Sequence, residues 1–242
     1  MHLVVCIIQA IQALVVALLL AFLPSGCDWP VNLYNYGTDY VIFDTSYDMC
    51  WILPCFPAIS AVAEFVQALW SKKYGGFSRV DGLNSGIQGV RWIESMFSSG
   101  LMLWMIATLS GMSDVINLIQ MQMFNVVIQL CGWHIESEFT ISDVNSSDVR
   151  RLTWLTWCLH VVIWIPIFVH FGFAVHEVNI PTVVNAIAPV MFVMFSLFGI
   201  LQLIWVNKHI DKEMCEMGYV ILSFVAKTTL LWMIFGGARR DL

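Results

Sequence analysis

The chain has 242 residues, of which 59% are hydrophobic and 12% charged, and its net charge is −6. A soluble domain carries about 25% charged residues, and eleven Trp and sixteen Phe exceed what a soluble core of this length can hide. An ordinary cytosolic domain, a disordered chain and a nucleic-acid binder are excluded, which leaves an integral protein of the lipid bilayer.

A helix needs about 20 apolar residues to cross the hydrocarbon core. Seven segments qualify, so the sequence predicts an all-α seven-helix membrane bundle forming one domain over residues 1–242. The first span, 3–23, has no charge. It is too long for a signal-peptide core and lacks a basic leader, so no cleavable signal is expected. The loop 24–48 follows. Its Val31–Tyr36 and Asp39–Phe43 stretches around Gly37-Thr38 predict a short β-hairpin. The aromatic residues there suit the membrane surface, a cap on the bundle or a second subunit; the alternative is a solvated turn with some interfacial aromatics. The second span, 49–70, is interrupted only by Glu64, and the third covers 84–110. Asn84-Ser85 reads as its N-cap, which places Arg91 and Glu94 inside the helix. The fourth, fifth and sixth spans are 115–133, 152–174 and 182–206. The seventh, 214–236, is interrupted by Lys227. The seven Cys show neither a disulfide framework nor metal-site spacing, although Cys27 and Cys50 are candidates for one bridge in an oxidising compartment.

Basic residues set the orientation. Lys72, Lys73 and Arg79 follow the second span, Arg150 and Arg151 the fourth, and Lys208 and Lys212 the sixth. These loops share one face. The opposite face carries Asp28, Asp39, Asp44 and Asp48 and no basic loop residue, and only Arg239 and Arg240 in the tail oppose the trend. The expectation is a multi-pass plasma-membrane protein with a cytoplasmic N-terminus and an extracellular C-terminus.

Charges at bilayer depth are costly and mark function by default. Lys227 has ten uncharged residues before it, Met217–Ala226, and eleven after it, Thr228–Ala238, too far from either surface to snorkel. Burial favours a neutral amine, a good nucleophile toward an aldehyde. Lys227 is therefore a Schiff-base candidate; the alternative is a structural ion pair. A protonated Schiff base needs an anion, and Glu94 is the best partner. Arg91, three residues before Glu94, is its competing partner on the same helix. Ser98 lies one turn beyond Glu94; Ser95 and Ser99 also suit close helix packing. Glu64 is a second buried acid with no adjacent basic residue, and reads either as a proton relay or as a hydrogen-bonded structural acid. Gln9 and Gln12 on the first span, and Gln122, Asn125 and Gln129 on the fourth, suit helix packing or the ordering of internal water, and Gln9 joins Glu64 and Glu94 as a relay candidate. His160 and His170 read mainly as structural. Met102, Met105, Trp164, Phe192, Phe195, Phe198 and Trp232 are candidates to line an apolar slot. No nucleophile–base constellation, phosphate loop or metal cluster points to an enzyme.

Two local sequences carry a family resemblance. Arg91-Trp-Ile-Glu-Ser-Met-Phe-Ser-Ser-Gly-Leu-Met102 resembles the third-helix signature of heliorhodopsins, and Tyr219-Val-Ile-Leu-Ser-Phe-Val-Ala-Lys-Thr-Thr-Leu-Leu-Trp232 their seventh-helix signature. The resemblance implies all-trans retinal bound to Lys227 as a protonated Schiff base, with Glu94 as counterion and Ser223 beside them. It also implies a light-driven photocycle, an inverted orientation and a homodimer with the outer hairpin near its interface. Heliorhodopsins usually carry histidine at the positions matching Gln9 and Glu64, and usually sense light without pumping. An acid at position 64 opens a different expectation: light-triggered proton movement from Glu94 through Glu64 to the cytoplasm. The competing reading is a non-photoactive transporter or structural bundle.

Overall fold

The computed structural model describes residues 2–22, 28–35, 40–74, 84–141, 147–177 and 182–237. Seven long helices make up the bundle: α1 (His2–Phe22), α2 (Cys55–Tyr74), α3 (Asn84–Leu109), α4 (Val115–Ile141), α5 (Ser147–Glu177), α6 (Thr182–Val206) and α7 (Lys212–Gly237). Each helix packs on the next, and α7 returns to α1 and α2, which closes the ring. Between α1 and α2 lie two antiparallel strands, β1 (Asp28–Asn35) and β2 (Tyr40–Asp48). Their register runs from Asp28 opposite Asp48 to Asn35 opposite Tyr40, with a shift between Leu33 and Tyr34. Both strands are longer than the sequence pattern predicts. The Gly37-Thr38 turn, Cys27 of the candidate bridge, Arg79, and the tail bearing Arg239 and Arg240 lie outside the described residues.

Among the described residues, six helices are long and apolar enough to cross a membrane, and α2 contributes the shorter apolar stretch Cys55–Leu69. The expected second span, 49–70, needs correction. It begins with a 3-10 turn, Met49–Ile52, and the α-helix starts at Cys55. Pro54 is the physical reason. The residue before a proline is pushed out of the helical region, and the Pro54 carbonyl then accepts the Ala58 amide at 3.1 Å to open the helix. Pro57 sits in the first turn, where a missing N–H costs nothing.

The fourth and fifth helices outrun their hydropathy. α4 continues from the expected end at 133 to Ile141, and α5 starts at Ser147 rather than 152. Backbone hydrogen bonds, not side-chain polarity, define a helix, and these extra turns bury Ile135, Glu136 and Val149 against neighbours. The short α3–α4 connection is set by two residues. Gly111 takes φ +96°, open to a residue without Cβ, and lets the Met112 amide reach back to the Ala107 carbonyl at 3.0 Å. Asp114 then caps α4, its Oδ2 accepting the Asn117 amide at 3.1 Å.

The bundle is apolar outside and partly polar inside. Leu3, Ile11, Phe22, Phe97, Met123 and Phe173 are exposed, while Gln9, Ser60, Gln67, Ser98, Asn125 and Thr156 are buried. In lipid there is no apolar surface to hide, so association relies on packing and on polar contacts between helices. The polar stripe of α4 does this against α3: Gln122 donates to the Gly100 carbonyl at 2.6 Å and Asn125 to the Met96 carbonyl at 3.2 Å. The Ser99 hydroxyl donates to Asn125 Oδ1 at 3.1 Å. The main apolar cluster fills the rest of the interior with Met105, Ile106, Trp164, Ile167, Met191, Leu230 and Leu231.

Candidate functional site

Lys227 lies on the inner face of α7 and is buried, with 6% of its side chain exposed. An ammonium at this depth must be paired. Lys227 Nζ donates to Glu94 Oε1 of α3 at 2.6 Å and to Ser223 Oγ, one turn back on α7, at 2.6 Å. Glu94 Oε1 also accepts the Ser60 hydroxyl of α2. Three helices thus meet at one carboxylate oxygen. Thr228, the next residue on α7, donates to Gln12 Oε1 of α1 at 3.2 Å and ties a fourth helix to the same level.

Lys227, Glu94 and Ser223 open onto a cavity of about 130 Å³, roughly ten times the 10–15 Å³ that one water needs. Ser98, Met102, Leu103, Ile163, Trp164 and Phe195 are among the residues that line it. The lining therefore offers an amine, a carboxylate and hydroxyls beside aromatic and aliphatic side chains, together with further polar groups such as Arg91, Asn125, Gln129 and Gln202. An amine and an acid beside apolar walls fit a long apolar molecule with one carbonyl terminus, attacked by the amine and neutralised by the acid once the nitrogen carries charge.

The candidate lining residues divide. Met102, Trp164, Phe195 and Phe198 face the cavity. Phe192 stands behind it, stacked on His160 at 6.0 Å between ring centres and edge-on to Trp164 at 5.4 Å. Trp232 is corrected: it is 42% exposed and packs on Phe235, away from the cavity. Five residues separate it from Lys227, and at 100° per residue the two point to different sides of α7. Met105 is fully buried in the apolar cluster. His160 lines the cavity and shares a 3.2 Å hydrogen bond with Ser196.

Two electrostatic assignments change. Arg91 does not pair with Glu94. Its guanidinium donates to Glu136 at the end of α4 and to Glu216 at the start of α7. Arg91 also lies over the Tyr219 ring at 4.5 Å and the Trp92 ring at 5.2 Å. Trp92 Nε1 donates to the same Glu136 at 2.6 Å. Gly132 makes this possible: a Cβ there would fall 2.4 Å from the Trp92 ring. Residues 91 and 94 sit three apart, about 300° around the helix, so inter-helix partners decide which way each turns. Glu64, in turn, has a basic neighbour after all. His2 Nδ1 lies 2.5 Å from Glu64 Oε2, with side chains 16% and 12% exposed. Glu64 also lines the cavity. Gln9 is 1% exposed and its Oε1 has no hydrogen-bond partner among the described residues.

Sequence reading missed Ser60, Glu136, Glu216 and His2. Ser60 carries a weak signal, four residues before Glu64 on an apolar helix. Glu136 lies beyond the hydropathy limit of the fourth span, and Glu216 sits in the polar first turns of the seventh.

No curated protein sequence matches the chain. Among solved structures, it is similar to the transmembrane domain and linker region of the Salpingoeca rosetta rhodopsin phosphodiesterase, with TM-score 0.72 and 12% identity over 99% of this chain and 70% of that one. A second structure, of the transmembrane domain of the same protein, gives TM-score 0.68 and 11% identity over 99% and 82%. At such identity the likeness shows the fold, a rhodopsin-type bundle. The Heliorhodopsin family matches residues 1–238, nearly the whole sequence. The chain belongs to the heliorhodopsin family and is a multi-pass integral membrane protein.

Proposed function

We propose that the protein is a light-responsive photoreceptor in which all-trans retinal is joined to Lys227 by a Schiff-base link, with Glu94 as its counterion. Membership in the family implies a retinal chromophore. One observation carries the residue assignment: a buried amine 2.6 Å from a buried carboxylate, both lining one cavity that is also walled by Met102, Trp164 and Phe195. Retinal, when bound, supplies a polyene that isomerises on absorbing light. The protein does the rest. Lys227 Nζ fixes one end, Glu94 balances its charge, and Ser60 and Ser223 orient the pair through their hydroxyls. Met102, Trp164 and Phe195 keep water from the apolar wall.

The basic loops support a cytoplasmic N-terminus and an extracellular C-terminus, and β1–β2 then lies outside, where it suits a homodimer contact. With that orientation, Glu94, Ser60 and Glu64 lead from Lys227 toward the cytoplasm. Ser60 and Glu64 are four residues apart on α2, neighbours on one face. A proton displaced from the site has acceptors along that line, so light drives proton movement down its gradient through Glu64.

Addition of all-trans retinal to the purified protein tests the first part. A visible absorption band that is absent in Lys227→Ala is the expected result. A colourless product would leave a structural Lys227–Glu94 ion pair in a non-photoactive bundle. Photocurrents in voltage-clamped cells test the second part. Currents present in the wild type and lost in Glu64→Gln are expected; none in the wild type, or equal currents in both, would refute the route.

A further inference from the structure

The His2–Glu64 contact is not used by the chromophore site and is foreign to a purely structural reading of α1. Glu64 faces the cavity from α2, one turn from the Ser60 that bonds Glu94. On its other side it meets His2 at 2.5 Å. His2 lies in the first turn of α1 and is more exposed than the innermost pair, 16% against 6% for Lys227. Cys6, one turn along α1, is a further titratable group beside Glu64. The ordered groups therefore run Lys227, Glu94, Ser60, Glu64, His2, from the middle of the bundle to the end of a helix.

We propose that His2 is the proton-exchange residue of the Glu64 route, the group that passes protons between the buried acid and bulk water. The inference rests on the proton path proposed above and names its outer terminus. An imidazole suits this place because its two nitrogens act on different sides. The transfer is balanced in two steps. Protonated Glu64 gives its proton from Oε2 to His2 Nδ1, so the O–H bond breaks as the N–H bond forms, leaving a carboxylate beside an imidazolium. The imidazolium then gives its Nε2 proton to water, which leaves the neutral ring with its proton on Nδ1; ring rotation and exchange with water restore the Nε2–H tautomer, and Glu64 is refilled from the Ser60–Glu94 side.

The test uses the full chain with retinal in voltage-clamped cells, with flash spectroscopy on the same variants. In His2→Ala, the visible band stays in place while the light-induced proton-release signal slows roughly 100-fold, as removal of a positioned proton-transfer group does. Added imidazole restores the rate in His2→Ala and has no effect on Glu64→Gln. Release at the wild-type rate in His2→Ala would overturn the inference. His2→Asn guards against a folding defect, because its amide still bonds Glu64 but exchanges no proton: slow release with a normal visible band supports the inference, and fast release overturns it. If neither variant yields pigment, infrared difference spectra of the wild type labelled with nitrogen-15 histidine decide, and absence of any light-induced imidazole band overturns the inference. The two failures are distinct. Currents blocked by Glu64→Gln but untouched by the His2 variants sink His2 alone, whereas a wild type without currents sinks the path and His2 with it.

Discussion

Two buried charge clusters lie one above the other in the bundle, and they are built for different work. The inner one joins Lys227, Glu94, Ser60 and Ser223 beside a cavity. The outer one clamps Arg91 between Glu136 and Glu216 under the Trp92 and Tyr219 rings. The inner cation is an amine, which can lose its proton and form a covalent bond, and it has one acid. The outer cation is a guanidinium, which stays charged and cannot be deprotonated in a protein. It has two acids on two other helices, so it straps α3, α4 and α7 together. Chemistry belongs to the cluster that can change state; mechanical closure belongs to the one that cannot.

Substitutions can break this division. The largest spectral effect is expected for Glu94→Gln in the retinal-loaded protein. The cation loses its anion, so the visible band moves to the red if the nitrogen keeps its proton, or is replaced by ultraviolet absorption if it does not. An unmoved band in absorption spectra would remove Glu94 from the counterion role. Arg91→Ala should do the reverse. It leaves Glu136 and Glu216 buried without their cation and costs about 3–5 kcal/mol in denaturant or thermal unfolding, while the visible band moves less than in Glu94→Gln. A band shift as large as that of Glu94→Gln would merge the two clusters functionally.

Ser60→Ala sharpens the comparison. Removing a donor leaves more negative charge on the Glu94 oxygen that faces Lys227, so the band should move to the blue, opposite in sign to Glu94→Gln. The lost charge-assisted hydrogen bond costs about 1.5–3 kcal/mol. A red shift would mean that Ser60 does not act through Glu94. The smallest effect belongs to neither cluster: Gly111→Ala forces a side chain into the left-handed region at the α3–α4 turn and costs about 1 kcal/mol, with the spectrum unchanged. Thermal unfolding followed at the visible band measures both quantities in one sample.

Seven helices can be read from apolar runs because each span must cover the same hydrocarbon thickness from its own residues. Lys227 and Glu94 stand out for the same reason: each is a charge where lipid tolerates none. The start of α2 is set locally, by the steric push of Pro54 on the residue before it, which apolar runs alone do not register. Sequence hydropathy ended the fourth span before Glu136, and this hid the partner of Arg91. His2, at the far end of another helix from the lysine, carried no local signal at all.

The sequence alone determined the class of protein, the number of helices and the two charges that cannot face lipid, since these follow from transfer energies summed along the chain. Tertiary structure alone decided the partners: Glu136 and Glu216 for Arg91, Ser60 for Glu94, His2 for Glu64, and the outward turn of Trp232. Pairing across helices depends on rotation and depth in the bundle, and those are fixed by packing between segments up to 216 residues apart in the chain, not by the composition of any one of them.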